Sequence, residues 1–461
     1  MMNVVQILNK NRHFAVIFFL CLAINGAVFL TNYLRGSLGA EILVSDSLEY
    51  YTASVNLYEQ GVFSRMSEEP FLPDRFRTPL YPLIAGAILQ IFNSVVAVYL
   101  FQFFLSFISA IGVYRIADFL WNSKRIALTA SLAFIFNPVI FLLVGNFMSE
   151  TLFLFLLIFG VYCFLLHLKS GSVPPFAISM ALFSLSALTR PVALYFVFIA
   201  FAYSILAHFN LRKLVINSAV FAAIFLIILF PWFLRNKIVF GDWHFTSADL
   251  INTYYMHLGQ LYGWQNNLEL HEAINVLKKF CVPSGVSEDF HGWCVSPQLR
   301  ELYLPILSQI NPSVIFKYVT LGGARFLFND GFMEFGNWLC QHKCSKAPVN
   351  IIDDLVRGGT NVFSIIISKP PVLLYTWIIG KIIWVGIFIS AAYLLWNRNK
   401  SGIDKESLVF ILLILGYFFL IAIPAWTTRY RVPFDPFVFL LAAPGFWYLK
   451  NYISYVRHKR I

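Results

Sequence analysis

Long apolar segments alternate with short polar connections along most of the chain, and this pattern predicts helices that cross a membrane. The first segment, from Phe14 to about Tyr33, is close to the ~20 residues that span a bilayer core. It is long for the apolar part of a signal peptide and lacks a small-x-small cleavage site, so we expect a retained span. We predict about ten spans, at residues 14–33, 94–116, 126–143, 151–168, 176–188, 192–206, 214–230, 373–396, 408–424 and 434–448.

These spans divide the chain into three parts. Residues 1–240 form a seven-span catalytic module that includes a first outer loop at 35–93, and residues 371–461 form a C-terminal three-span module. Between them, residues 241–370 contain no apolar run long enough to cross a bilayer, so we assign them to an extracytoplasmic domain. The expected fold is an all-α polytopic membrane protein.

The first outer loop concentrates polar side chains that most of the chain avoids. Asp46, Glu49, Tyr50, Ala53 and Leu57 follow one another at helical spacings, so they share one side of a short amphipathic helix on the membrane surface. The two carboxylates therefore face the same way.

Further along this loop, the sequence Arg77-Thr-Pro-Leu-Tyr-Pro restricts the backbone at two prolines and so holds a basic residue rigidly. The apolar segment 82–93 is too short for a span, and it predicts a re-entrant or interfacial helix.

Composition excludes a soluble globular protein, since 59% of the residues are hydrophobic, 49 are Phe and the mean hydropathy is +0.71. The net charge is +11, and much of the basic excess falls in short loops that the span pattern places inside. This is the positive-inside pattern of membrane proteins rather than a nucleic-acid-binding surface. Both termini then lie inside, while the first outer loop and residues 241–370 face outside.

Four of the six cysteines fall in the predicted outer domain, which indicates two disulfides in an oxidising compartment. Three connectivities are open, and we favour the local one, Cys281 with Cys294 and Cys340 with Cys344. The alternative is a metal site, because four histidines share this region, although they are scattered and no Cys-x-x-Cys pair is present. The histidines are His257, His271, His291 and His342.

Several motifs carry a family resemblance. Asp46 just after the first span, Tyr50 four residues on, Gly61 and the Arg-x-Pro-x-Tyr-Pro motif at 77–82 resemble the first extracytoplasmic loop of bacterial polyprenyl-phosphate-sugar glycosyltransferases. These enzymes are related to protein O-mannosyltransferases and aminoarabinose transferase. Further matches are Asn137-Pro138, Met148-Ser149-Glu150, Leu188-Thr189-Arg190-Pro191, Pro231-Trp232, Arg235-Asn236, Phe240-Gly241 and Arg429-Tyr430-Arg431-Val432-Pro433.

The resemblance implies a GT-C type fold in a bacterial inner membrane, with the active site facing the periplasm or exterior. The implied reaction is an inverting, single displacement in which a polyprenyl-phosphate sugar is the donor and a lipid, glycan or protein is the acceptor. Asp46 is the general base by this resemblance, whereas by local sequence it is also a helix cap. Glu150 orients the acceptor or the sugar, or else caps the fourth span.

The same resemblance places Arg77 at the phosphate that departs, where a planar guanidinium suits phosphate oxygens. Four further arginines are candidates for this phosphate site, unless they contact lipid headgroups instead. Tyr50 and Tyr81 are candidates for stacking on the sugar or binding the phosphate, or are ordinary interfacial tyrosines. The four arginines are Arg190, Arg235, Arg429 and Arg431.

We expect no cofactor and favour metal-independent transfer. Oligosaccharyltransferase-like enzymes hold a divalent ion with an Asp-x-Asp pair, but here Leu48 stands two residues after Asp46 and the nearest second acid is Glu49. The competing class is a transporter or flippase of a lipid-linked sugar. Transporters place ionisable residues near the bilayer midplane, usually in two related halves, whereas the polar motifs here fall on one predicted side and the halves differ.

Overall fold

A computed structural model of the chain describes residues 4–36, 46–207, 210–280, 298–340, 370–400, 402–423 and 428–459. These residues are predominantly helical and contain no strand. The helices are α1 (Val4–Leu34), α2 (Asp46–Glu59), α3 (Leu80–Phe92), α4 (Val95–Trp121), α5 (Lys124–Ile135), α6 (Pro138–Val144), α7 (Glu150–Ser170), α8 (Val173–Thr189), α9 (Leu194–Ala207), α10 (Leu211–Ile224), α11 (Phe230–Phe240), α12 (Ala248–Leu250), α13 (Gly259–Asn266), α14 (Leu270–Lys278), α15 (Gln298–Ser308), α16 (Pro312–Phe328), α17 (Phe332–Leu339), α18 (Pro371–Trp396), α19 (Lys405–Ala422) and α20 (Asp435–Lys459).

Single turns of other helix types join some of these elements. A π-helical turn at Phe225–Leu229 links α10 to α11, and another at Ile251–Leu258 links α12 to α13. Short 3₁₀ turns lie at Pro191–Ala193, Arg398–Lys400 and Thr428–Arg431. The last of these turns carries two of the predicted site arginines.

Six helical segments among the described residues are long and apolar enough to cross a membrane. The predicted polytopic all-α class is therefore confirmed, whereas the count of ten spans stays a prediction because α8 and the segment 191–207 are shorter apolar helices. The six segments are Arg12–Leu34, Val95–Trp121, Glu150–Ser170, Leu211–Phe240, Pro371–Trp396 and Lys405–Ala422.

A seventh span forms if α5 and α6 are counted together, and these two helices meet at a bend of 60°. The bend lies at Asn137-Pro138, because proline disfavours helical geometry in the residue before it and has no N–H to continue the ladder. Asn137 accepts a hydrogen bond from the N–H of Val139 at 3.0 Å and so caps the second helix. Its amide also donates to Asp435 at 2.7 Å, which ties the bend to α20.

The most buried span, α7, lies at the centre of the helix bundle. Gly160 brings it close to α8, since a Cβ at this position would lie 2.6 Å from the ring of Phe183. Phe164 stacks on Phe410 of α19 with ring centroids 4.2 Å apart, which joins α7 to the C-terminal spans. Aromatic contacts within the core thus join a span of the N-terminal half to one of the C-terminal spans.

The predicted helices of the first outer loop are present as α2 and α3. They pack closely because Gly86 of α3 faces the ring of Tyr58, whose hydroxyl donates to the carbonyl of Leu83 at 2.9 Å. Their location at the membrane interface stays a prediction.

Residues within 250–277 and 302–318 bury a second hydrophobic cluster, in which Tyr254, Tyr255, Leu277 and Tyr318 pack together. The proposed outer domain and its division at 240 and 370 stay a prediction. Several cysteines and histidines of the predicted disulfides and of the alternative metal site lie outside the described residues. Both interpretations therefore stay predictions. The residues concerned are Cys281, Cys294, Cys344, His291 and His342.

Candidate active site

The site is organised around Asp46, the first residue of α2. Asp46 and Glu49 lie on one face of this helix, as their spacing predicts, and both contact the same guanidinium. Arg77 Nη2 lies 2.5 Å from Asp46 Oδ1, and Arg77 Nε donates to Glu49 Oε2 at 2.8 Å. The guanidinium also lies over the ring of Tyr50, 4.8 Å from its centroid. Arg77 therefore fills the space between the two carboxylates.

A second arginine reaches Asp46 from the other end of the chain. Arg429, in the 3₁₀ turn before α20, donates from Nη2 to Asp46 Oδ2. Its Nε lies 3.7 Å from Glu150 Oε1, and Glu150 forms an ion pair with Arg190. The first residue of α7 is thereby joined to the end of α8.

Glu49 extends the network in the opposite direction. Arg65 Nη1 lies 3.1 Å from Glu49, and the same guanidinium donates to both oxygens of Asp74 at 2.7 and 3.0 Å. Eight charged side chains thus alternate in sign along one continuous path, which we call the charge chain. In order, it consists of Asp74, Arg65, Glu49, Arg77, Asp46, Arg429, Glu150 and Arg190.

The charge chain sets the ionisation of Asp46. Burial alone would raise the pKa of this carboxyl, but the charges and hydrogen bonds of Arg77 and Arg429 lower it to about 2. Burial would lower the pKa of Arg77, but Tyr50, Asp46 and Glu49 raise it above its ordinary value. Both groups are therefore charged at neutral pH, and Asp46 is a weak base as long as both arginines hold it.

The backbone before Arg77 is fixed by Arg235, from one of the predicted motifs, and by residues shortly after α11. Arg235 donates to the carbonyl of Asp74 at 2.8 Å, Thr246 donates to the carbonyl of Phe76 at 2.8 Å, and Arg75 Nη1 lies 2.5 Å from Asp242. Arg235 is thus at the Asp74 end of the charge chain, against a backbone carbonyl, and its place there suits positioning the loop that presents Arg77.

Arg431 does not reach this site. It is 1% exposed, its Nε donates to Asp435 at 2.8 Å, and its Nη1 donates to the carbonyl of Leu327 at 2.8 Å. Its guanidinium lies 3.6 Å from the ring centroid of Trp384. Although only Tyr430 separates it from Arg429, Arg431 holds α16, α18 and α20 together, in contrast to the predicted phosphate contact.

The two predicted tyrosines pack against each other, and Tyr50 lies under the guanidinium of Arg77. Tyr50 is 3% exposed and its hydroxyl accepts a hydrogen bond from Ser149 at 2.9 Å. Tyr81 is 1% exposed, packs edge-on against Tyr50 and donates to Gln102 at 2.7 Å. Both side chains are covered, so the geometry offers neither ring as a platform for a sugar.

A cavity of about 710 Å³ opens beside Arg429. Its walls come from the end of α1, from α6 and the residues after it, from α17 and from the turn at Thr428. The lining includes Asn32, Arg35, Asn146, Glu334, Trp338, Thr428 and Arg429. Of these, only Arg429 is predicted from the sequence.

The other unpredicted members of the site are Arg65 and Asp74. Their one signal is the high density of charged residues between positions 65 and 77 in a chain that is 12% charged. Glu334 has no local signal, because it is a single acid in a segment without a motif.

This fold is similar to that of two solved archaeal structures. One is the apo oligosaccharyltransferase of Archaeoglobus fulgidus, with a TM-score of 0.51, and the other is oligosaccharyltransferase AglB from Archaeoglobus fulgidus in complex with an inhibitory peptide and a dolichol-phosphate, with a TM-score of 0.52. Each alignment is 13% identical and covers 98% of this chain and 52% of the other. The chain therefore spans about half the length of these neighbours.

A third similar structure is ArnT from Cupriavidus metallidurans bound to undecaprenyl phosphate, with a TM-score of 0.39, 13% identity and coverage of 94% of this chain and 76% of that one. No curated protein matches the sequence.

The fold is thus of the predicted GT-C type, and the resemblance predicted from the motifs is confirmed at the level of the fold. Residues 76–234 match the model of the dolichyl-phosphate-mannose-protein mannosyltransferase family. The matched region contains Arg77, Tyr81, Glu150 and Arg190, whereas Asp46 and the two C-terminal arginines lie outside it.

Proposed function

We propose that this protein is a glycosyltransferase that moves a sugar from a polyprenyl-phosphate donor to an extracytoplasmic acceptor, which is a lipid, glycan or protein. The observation that carries the proposal is the Asp46 carboxylate between the guanidinium groups of Arg77 and Arg429. This arrangement offers one base and two cations at a single point. We place the enzyme in a bacterial inner membrane with this site facing the periplasm or exterior.

The proposed chemistry is a single, inverting displacement. Asp46 accepts the proton of the acceptor hydroxyl while that oxygen forms a bond to the anomeric carbon of the sugar. The bond between the anomeric carbon and the phosphate oxygen breaks, and its electron pair leaves with the polyprenyl phosphate. Arg77 and Arg429 stabilise the charge that develops on this phosphate, because charged donors aimed at a leaving group act most strongly in a site that excludes water.

Donor binding would also activate the base. In the described arrangement the two arginines hold the pKa of Asp46 at about 2. A donor phosphate competes for the same N–H groups, and each guanidinium that turns toward phosphate releases a carboxylate oxygen. The pKa of Asp46 would then rise toward the range in which a carboxylate accepts a proton more readily.

Metal-independent transfer fits the same geometry. Arg77 Nη2 lies 2.5 Å from Asp46 and 2.6 Å from Glu49, so a guanidinium occupies the space in which a divalent ion would bridge these two carboxylates. We therefore propose that the cationic charge needed at the phosphate comes from arginines.

The position of the charged residues favours an enzyme over a transporter. Asp46 begins α2, Glu150 begins α7, Arg190 follows α8 and Arg429 lies in a turn. These are helix ends and connections, whereas a transporter of ions or lipids places such groups within broken helices near the bilayer midplane.

The test is the substitution Asp46→Asn. The amide keeps the size of the side chain and caps a helix about as well as Asp, so a purely structural role predicts near-normal activity. A general base predicts a loss of roughly 10²- to 10⁴-fold with undecaprenyl-phosphate binding retained.

The measurement does not require the donor sugar or the acceptor to be known in advance. Lipids and surface glycans from a deletion strain are compared by mass with those of wild type, and the missing species identifies the product. Complementation with wild type restores this species, and complementation with the exposed-site control Glu68→Gln does the same. Full restoration by the Asn variant would remove Asp46 from the mechanism.

A further inference from the structure

Glu334 lines the cavity of about 710 Å³ beside Arg429, and it belongs to none of the sequence motifs. It lies in the first turn of α17. Thr428 Oγ1 donates to its Oε1 at 3.1 Å, and the next residue, Arg429, pairs with Asp46. Glu334 is therefore connected to the proposed base through two consecutive residues of one turn.

The second oxygen of this carboxyl has no hydrogen-bond partner among the described residues. Oε2 of Glu334 is buried, and burial raises the pKa of the group, with only partial compensation from its hydrogen bonds. A buried polar atom without a partner is unfavourable, because it has lost its contact with water and gained no hydrogen bond in return. Glu334 as a residue also lines the cavity, so a hydrogen-bond donor on a ligand held there would supply the partner that Oε2 lacks in the described part of the chain.

The cavity lies beside the proposed site of the donor phosphate, because Arg429 lines it. A phosphate bound by Arg429 would carry its sugar at a distance of one ester bond, and the cavity is the space that Arg429 lines. Its volume lies within the ~300–1,000 Å³ of typical ligand pockets. Amides from Asn32 and Asn146 and the hydroxyl of Thr428 add polar groups to the wall.

We propose that this cavity holds the transferred sugar, and that Glu334 is a specificity-determining residue whose free carboxyl oxygen accepts a hydrogen bond from a sugar hydroxyl. This inference rests on the proposed function. Thr428 orients the carboxyl by its hydrogen bond to the other oxygen. The sugar is thereby positioned between Glu334 and Arg429, with the phosphate toward Arg77.

Binding measurements with two kinds of probe separate the sugar from its carrier. The probes are undecaprenyl phosphate alone and a panel of undecaprenyl phosphates that each carry one neutral monosaccharide. Wild type is expected to bind at least one glycosylated probe more tightly than the bare one. Glu334→Gln is expected to bind the bare probe as wild type does and to lose about tenfold or more of the affinity for the preferred glycosylated probe.

Glu301→Gln is the matched control, because Glu301 is exposed on α15. It should bind every probe as wild type does, and the thermal unfolding midpoints of both variants should equal that of wild type. A Gln variant at 334 that keeps the full preference overturns the inference. So does one that loses affinity for the bare probe together with thermal stability, since that pattern indicates a structural role.

Two outcomes for the wild-type protein distinguish a failure of this inference from a failure of the proposed function. If wild type binds undecaprenyl phosphate but gains no affinity from any sugar in the panel, the cavity does not hold the sugar, and the inference fails while the proposed donor site survives. If wild type binds neither kind of probe, the proposed function itself fails.

Discussion

Asp46 and its two arginines carry most of the functional argument at the scale of single residues. Arg77 Nη2 and Arg429 Nη2 bind different oxygens of one carboxylate, so the group is fully engaged. Isolated buried charges are costly, and this cost explains why each charge on the path is flanked by opposite ones. An anion that enters the site would have to compete with the carboxylates for these guanidinium N–H groups.

Replacing the arginines tests this competition. Arg77→Ala and Arg429→Ala should each weaken binding of undecaprenyl phosphate by about 1.5–3 kcal/mol, the usual contribution of a charged hydrogen bond. Arg77→Lys should recover only part of the loss, because an ammonium lacks the planar fork of a guanidinium. Equilibrium binding in detergent measures the change.

Arg125→Ala serves as the control, since Arg125 is exposed at the start of α5, on the predicted inner side. Unchanged affinity in both Ala variants would place the phosphate elsewhere, and the positive groups around Arg235 would then be the next candidates.

The ionisation of Asp46 makes a prediction for stability against pH. Its pKa is about 2 in the folded protein and ordinarily 3.8, so its pairing stabilises the fold fully above pH ~4 and this contribution is lost as pH falls toward 2. The thermal unfolding midpoint should therefore decrease between pH 4 and pH 2. The Asp46→Asn variant should show a smaller decrease over this interval, and Glu68→Gln should follow wild type. Equal slopes for Asp46→Asn and wild type would contradict the pairing.

At the scale of elements, close helix contacts hold the bundle in register. Gly445 of α20 lies against α18, where a Cβ would overlap the backbone carbonyl of Ser390. Arg431 lies at the start of the same helix pair, with its guanidinium on Trp384 of α18. The turn that carries Arg429 is thus set by how α18 and α20 pack.

The substitution Gly445→Ala should push these two helices apart. We expect a loss of about 1–3 kcal/mol in stability, because the added carbon meets backbone rather than a movable side chain. Gly386→Ala is the matched control in α18, where a Cβ would meet nothing within 4 Å. Thermal unfolding in detergent compares the two, and an equal effect of both substitutions would argue against tight packing at Gly445.

At the scale of the whole molecule, the orientation of the bundle decides which compartment the site faces. The charge bias of the loops predicts that 397–405 lie inside and that residues 241–370 lie outside. Single cysteines at Asn399 and Ser287, in a background without the native cysteines, should be labelled by impermeant reagents only from the inside and only from the outside respectively. Labelling of position 399 from outside would overturn the predicted topology.

Much of the fold was predictable because helix formation in an apolar chain depends on local sequence. Run lengths near 20 residues predict the spans, but the uninterrupted span predicted at 126–143 contains a 60° bend in the structure. The number of spans does not follow from the sequence, because α8 and α9 are short. How far each of them enters the membrane depends on the helices that pack against it.

The residues of the site also fall into those that the sequence predicted and those that only the structure brought together. Helical spacing by itself determined that Asp46 and Glu49 share a face, and proline-restricted backbone marked Arg77 as a held cation. Only the tertiary structure decided that Arg429, 383 residues away, completes the pair on Asp46, that Arg431 turns into the core, and that Glu334 lies on a cavity wall. The physical reason is that spacing along one helix sets which side chains are neighbours on that helix, whereas contacts between distant segments depend on the packing of all the helices between them.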